Sequence, residues 1–185
     1  KAGFYLPNGI EAVNIKGFKQ ANMQIKDNQS MIFDGIMATT PTWKDIEFIR
    51  KNTKLPLILK GITHPSYAKK AIEFGVDGIV VSNHGGRVLD TLVTTMDILP
   101  KIVEVVDNKI PILLDGGITR GTDILKALAL GASAVMIGKP IMYGLATAGA
   151  LGVAHSLKIL KDELEIAMAL TGCKTLRDIN KDILF

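Results

Sequence analysis

The string Ser82-Asn83-His84-Gly85-Gly86-Arg87 puts an imidazole and a guanidinium three residues apart, directly after the apolar run Gly78-Ile79-Val80-Val81. His84 can take or release a proton near neutral pH. Arg87 can hold a carboxylate by two parallel hydrogen bonds. Lys60 closes an earlier apolar run, Leu57-Ile58-Leu59, and Asp115-Gly116-Gly117 closes a later one. A cation ending a buried strand must face an anion or water, so Lys60 is a candidate for steadying negative charge that develops during a reaction. Blander readings stay open beside these: an ion pair of Lys60 with Asp115, and a surface pair of Arg87 with Asp90.

A second cluster suits an anion. Asp115-Gly116-Gly117-Ile118-Thr119-Arg120-Gly121 leads into a helical pattern, and Gly138-Lys139 ends the next apolar run. Glycines let backbone N–H groups approach a phosphate, and a helix start adds positive potential. Ordinary tight turns are the alternative. His64 precedes Pro65 in a helix-capping position, and His155 is isolated on a helical stretch. The three His and one Cys match no metal-site spacing, and no serine sits in a nucleophile elbow.

The elements that carry these groups form a weak internal repeat. Leu55-Pro56-Leu57-Ile58-Leu59-Lys60-Gly61 resembles Ile110-Pro111-Ile112-Leu113-Leu114-Asp115-Gly116, and Lys70 to Gly75 resembles Lys126 to Gly131, at offsets of 55 or 56 residues. Strands are expected at Leu57 to Lys60, Gly78 to Ser82, Ile112 to Asp115 and Ala134 to Gly138. All are continuous apolar runs, the pattern of a parallel sheet covered by helices. Helices are expected at Thr42 to Lys51, from Pro65 through Phe74, at Thr95 to Val106, at Asp123 to Leu130 behind a Gly121 or Thr122 cap, and at Leu151 to Leu170. The last has a stripe of Leu157, Leu160, Leu164 and Ala167. Alternating strands and helices point to a TIM-type (β/α)8 barrel. Four strands in 185 residues make half of one, since a closed barrel takes about 250 residues. The expected organisation is one partial domain over 1–185: an excursion region at 1–40, strand and helix units at 41–141, and C-terminal helices at 142–185. Leu6-Pro7-Asn8-Gly9 reads as a turn in the excursion, and Lys16 to Gln29 as polar with no firm period. A free half-barrel exposes sheet edges and an apolar face, so self-association or pairing with another half is expected.

Composition narrows the class. With 48% hydrophobic and 22% charged residues the chain is globular, and a net charge of +4 without basic-aromatic clusters argues against nucleic acid. No apolar run approaches the roughly 20 residues of a membrane span. The single Cys173 excludes an internal disulfide and fits a reducing compartment, hence a cytoplasmic location. The sequence starts at Lys1 rather than Met, which raises the expectation of a missing natural start.

Several segments, in order, resemble the FMN-dependent 2-hydroxy acid oxidising family: Phe4-Tyr5-Leu6-Pro7, Leu59-Lys60-Gly61, Ser82 to Arg87, Asp115-Gly116-Gly117, Lys126 to Ala132 and Thr171-Gly172-Cys173. The His-Gly-x-Arg string and the 24-residue step from Lys60 to His84 carry the likeness. The resemblance implies FMN as cofactor and oxidation of a lactate- or glycolate-like L-2-hydroxy acid to the 2-oxo acid. It implies that His84 is the base, Arg87 the substrate carboxylate clamp, and Lys60 the cation near the flavin N1 and C2 carbonyl. Ser82 is similar to a flavin-ring contact. Asp115, Gly116, Gly117 and Thr119, with Gly138 and Lys139, resemble the ribityl and phosphate cradle, and Arg120 is a candidate to compensate where the family carries arginine in place of Thr119. The family also carries arginine where Lys139 stands. Only the carboxyl-terminal half, strands five to eight, is matched. The resemblance assigns substrate-binding tyrosines, a further arginine and the aspartate that orients the histidine to the other half. The alternative is a non-catalytic FMN- or phosphate-binding half-barrel.

Overall fold

The computed structural model describes residues 8–11, 13–17 and 26–184. Its contacts divide the chain into two compact units, Lys1–Thr42 and Trp43–Phe185. In the first, Asn8 and Gly9 form a turn, while Phe4-Tyr5-Leu6-Pro7 and 18–25 of the polar stretch lie outside the described residues. Short helical turns occupy Val13–Ile15, Met31–Gly35 and Ile36–Thr39. Ser30 starts the second of these: its hydroxyl accepts the N–H groups of Ile32 and Phe33, and Asp34 accepts its own N–H.

The second unit alternates strand and helix. It runs α1 (Trp43–Asn52), β1 (Ile58–Lys60), α2 (Pro65–Glu73), β2 (Gly78–Val81), α3 (Thr95–Val106), β3 (Ile112–Leu114), α4 (Gly121–Ala129), β4 (Ala134–Val135) and α5 (Lys139–Leu170). The four strands pair in parallel in chain order, β1-β2-β3-β4. A doubly wound sheet would reverse its order at a switch point, whereas a barrel adds each strand beside the last. The order is therefore that of a (β/α)8 barrel segment.

Strand pleating gives the sheet two different faces. Leu59, Ile79, Val81, Ile112, Leu114 and Val135 point one way and join the core with Ala68 and Ala71 of α2, Leu99, Ile102 and Val106 of α3, and Ile124 and Ala127 of α4. Burying side chains the size of Leu99 or Ile102 contributes about 2 kcal/mol each. The other face lies outside this core, and Ile58 and Met136 on it are 50% and 39% exposed. No described helix is long and apolar enough to cross a membrane.

Helix starts follow local chemistry. The His64 ring nitrogen accepts the Ser66 N–H at 3.2 Å ahead of Pro65, and Thr94 Oγ1 accepts the Asp97 N–H at 3.2 Å. Two helix starts depart from expectation. Helix α4 begins at Gly121, two residues before Asp123, because the Asp123 carboxylate reaches back to the N–H groups of Thr119 and Arg120 and Glu163 accepts that of Gly121. Helix α5 begins at Lys139 rather than Leu151 and breaks at Ala148 and Gly149, whose backbone leaves the helical region. Its arms then pack so closely that a side-chain carbon on Gly152 would overlap the Gly144 carbonyl oxygen. Of the expected stripe, Leu160 and Ala167 are buried, but Leu157 is 48% exposed, beyond the reach of the nine-residue α4.

Candidate active site

Register alone brings three polar groups together. Lys60 pairs with Val80, so Ser82, two residues on, lies on the same face; Val81 pairs with Leu114, which sets Asp115 beside Ser82. This is the face opposite the core, at the carboxyl ends of the strands. The Lys60 ammonium donates to Ser82 Oγ at 2.7 Å and pairs with Asp115 Oδ2 at 2.8 Å. Ser82 Oγ donates to Asp115 Oδ1 at 2.5 Å and accepts the His84 N–H at 3.1 Å. The serine is buried, 3% exposed, so its hydroxyl knots three strand ends together away from water.

The ion pair left open as an alternative for Lys60 therefore forms. Lys60 nonetheless lines the cleft above the strand ends, and two engaged protons leave one free on its ammonium.

His84 begins a left-handed run, with φ of 55° followed by 68° at Gly85 and 74° at Gly86. Only glycine adopts this conformation freely, so His84 is strained by its backbone. The Gly86 N–H closes the turn on the Asn83 carbonyl at 3.0 Å and on Asn83 Oδ1 at 3.1 Å. The His84 ring and the Arg87 side chain are exposed and line the same cleft as Lys60. Among the described residues Arg87 has no ion pair with Asp90, whose carboxylate accepts the Thr91 N–H.

The cleft, about 480 Å³, continues over Asp115, Gly116, Gly117, Ile118 and Thr119 to Gly138 and Lys139, with Met136, Pro140 and Met142 supplying apolar wall. A second cleft shares Lys60 and His84 and is lined by Ser82, Val88, Leu89 and Leu92. The backbone N–H groups of Gly116, Gly117, Gly138 and Lys139 meet no acceptor among the described residues. Gly116 also has no space for a side chain: its first carbon would stand 2.7 Å from Asn83 Oδ1. Lys139 Nζ donates to the Gly85 carbonyl at 2.9 Å.

Most N–H groups at the start of α4 are engaged. Asp123 and Glu163 already accept those of Thr119, Arg120 and Gly121. The Gly121 N–H above all, and then the Arg120 guanidinium, hold the Glu163 carboxyl below the usual carboxylate range. Arg120, expected at the cofactor, is not among the cleft residues; its guanidinium pairs with Glu163 Oε1 at 2.9 Å.

Thus Lys60, His84, Arg87, Asp115, Gly116, Gly117, Thr119, Gly138 and Lys139 line one cleft, Ser82 lies beneath it, and Arg120 is turned elsewhere. Sequence reasoning missed Glu163 and Thr95. Thr95 is buried and donates to the Gly116 carbonyl at 3.0 Å, holding the glycine loop from below. Neither carried a signal, because their partners are 42 and 21 positions away. Among the described residues no cluster of His, Cys, Asp and Glu could hold a metal ion.

A parallel sheet in barrel order, with its polar groups gathered at the carboxyl ends of the strands, defines the TIM barrels as a class. The model of the FMN-dependent dehydrogenase family matches residues 1–185, and the chain belongs to that family. A 2-hydroxyacid oxidase of Dictyostelium discoideum is 46% identical over 185 residues, covering 100% of this chain and 47% of the relative. An L-lactate oxidase of Nostoc sp. is 45% identical over 184 residues, 98% of this chain and 50% of the relative. A solved mandelate oxidase with (S)-4-hydroxymandelic acid superposes with a TM-score of 0.74 at 46% identity, covering 76% of this chain and 40% of that one. The chain thus spans about half the length of the curated relatives it matches.

Proposed function

We propose that this chain supplies the FMN-phosphate loops and the proton-transfer half of the active site of an L-2-hydroxy acid oxidoreductase, acting on a lactate- or glycolate-like substrate. The observation that carries the reading is the shared cleft: His84, Arg87 and Lys60 line one end, and unengaged N–H groups with the Lys139 ammonium line the other. That donor set fits FMN. Gly116, Gly117, Gly138 and Lys139 would hold its phosphate and ribityl end, and Lys60 would face the ring.

When bound, FMN would supply an acceptor for two electrons and one proton. Oxidising a 2-hydroxy acid to a 2-oxo acid releases two electrons and two protons. Arg87 holds the substrate carboxylate by its planar fork and so fixes which atom faces His84. His84 takes one proton; its exposed ring, on a loop tied through Ser82 to Lys60, is in reach of a ligand in the cleft. Lys60, balanced by Asp115, keeps one ammonium proton for negative charge gathering opposite it.

The test is yellow colour and its bleaching. The 185-residue chain should bind FMN and turn over L-lactate or glycolate little by itself, because the resemblance assigns the histidine-orienting aspartate and the tyrosines to the other half. Supplying that half should restore bleaching, and His84→Asn should then abolish it while FMN stays bound. Turnover surviving that change would remove His84 as the base. The non-catalytic reading is favoured by one observation, the Lys60–Asp115 pair that neutralises the cation. Stoichiometric FMN with no bleaching in the completed barrel would select it.

Pairing with the other half, or with a second copy, is part of the proposal and is read by sedimentation. A cytoplasmic location rests on the lone thiol of Cys173. The competing compartment comes from a peroxisomal (S)-2-hydroxyacid oxidase of Arabidopsis thaliana, 56% identical over 141 residues.

A further inference from the structure

We propose that Lys139 is a positioning residue that couples phosphate occupancy at one end of the cleft to the shape of the His84 loop at the other. The inference rests on the FMN reading above and adds a role for one side chain within it.

Lys139 opens α5, directly after the turn at Gly138. Its ammonium crosses to the loop after β2 and donates to the Gly85 carbonyl at 2.9 Å, 54 positions away in sequence. Its stem lies over the same residue: a side-chain carbon on Gly85 would stand 3.5 Å from Lys139 Cε. The loop it grips is the left-handed run His84-Gly85-Gly86. Within that run, the local ties are the His84 N–H on Ser82 and the Gly86 N–H on Asn83; among the described residues Gly85 is tied only through Lys139.

An ammonium carries three protons in a tetrahedral array. One is engaged with Gly85, which leaves two for an anion. The unengaged N–H groups of Gly138 and Lys139 itself, on the same turn, are where that anion would sit. A phosphate there pins the ammonium at its free side. The pinned ammonium in turn fixes the Gly85 carbonyl, one peptide from His84. The single head of a lysine makes the two contacts interdependent.

The experiment follows backbone amide exchange of His84 to Arg87 in the 185-residue chain, with FMN and with riboflavin, which lacks the phosphate. Affinity is read by flavin fluorescence quenching. FMN at saturation should slow exchange across the loop severalfold, and riboflavin at saturation should not. Lys139→Met should weaken FMN binding roughly ten- to a hundredfold, the loss of one charge-assisted contact. At FMN concentrations that still saturate it, the loop should exchange as in the unliganded chain. Lys139→Arg should recover affinity and part of the protection. Lys139 is exposed, so neither change should disturb the fold, and circular dichroism verifies this. If FMN binds the parent chain and loop exchange stays unchanged, or if Lys139→Met keeps the full slowing, the coupling is wrong and the FMN reading stands. If the parent chain does not quench FMN at all, both fall.

Discussion

Removing the Ser82 hydroxyl is the sharpest perturbation of the site, because three bonds meet on one buried atom. Ser82→Ala deletes the acceptor of the Lys60 ammonium, the acceptor of the His84 N–H and the donor to Asp115. Lys60 and Asp115 keep their direct pair at 2.8 Å, so the charge on Asp115 stays compensated. What is lost is the partner of Asp115 Oδ1, on a side chain only 14% exposed, and the tie that holds the His84 backbone. Water can reach His84, which is exposed, and replaces that bond at small cost. A buried acceptor left without its donor costs about 1–3 kcal/mol, so the expected destabilisation is about 2 kcal/mol. With a urea slope of about 2 kcal/mol/M for a domain of this size, the unfolding midpoint should fall by about 1 M. Trp43, the only tryptophan, reports it: its ring packs 5.3 Å from that of Phe74 and 6.4 Å from that of Tyr67 within the same unit. A midpoint shift under about 0.3 M would mean that the serine is not the tie described here.

Further outcomes are expected from other parts of the unit. Leu99→Ala, at a fully buried position in α3, should cost about 2–5 kcal/mol through lost burial and the cavity left behind, read by the same urea titration. Glu163 has a folded pKa depressed first by the Gly121 N–H and then by Arg120, so its contribution is present above the ordinary glutamate range and fades as pH drops through the depressed value. Glu163→Gln should therefore lower the midpoint at neutral pH and flatten its fall in acid; a parallel fall would refute the assignment. Asp77 behaves alike, held down first by the Leu57 N–H and also by Arg50, so Asp77→Asn should loosen the entry to β1, seen as faster amide exchange at Leu57.

The sheet and most helices were legible because their signals are local. Four apolar runs bounded by Gly or Pro gave four strands, and Thr95 to Val106 came out as one helix because Thr94 caps it and Asp107 turns left-handed after it. The common face of Lys60, Ser82 and Asp115 follows from a period of two once the strands are in register. What the sequence hid is long-range. The start of α4 depends on Glu163, and nothing near Gly121 announces a carboxylate from α5. The direction of Arg120 was hidden for the same reason. The fourth strand stops at Val135 rather than Gly138: Met136 still donates to the Leu114 carbonyl at 2.8 Å, but the backbone turns at Gly138 into α5. The break at Gly149 lies in a run of small residues that fits a continuous helix equally well.

The sheet side opposite the core has a consequence for the 185-residue chain when it stands alone. Ile58 and Met136 are exposed there, next to strand edges, and offer apolar surface to which another chain can adhere. For the 185-residue chain by itself, solubility at high concentration should therefore depend on whether that side is covered.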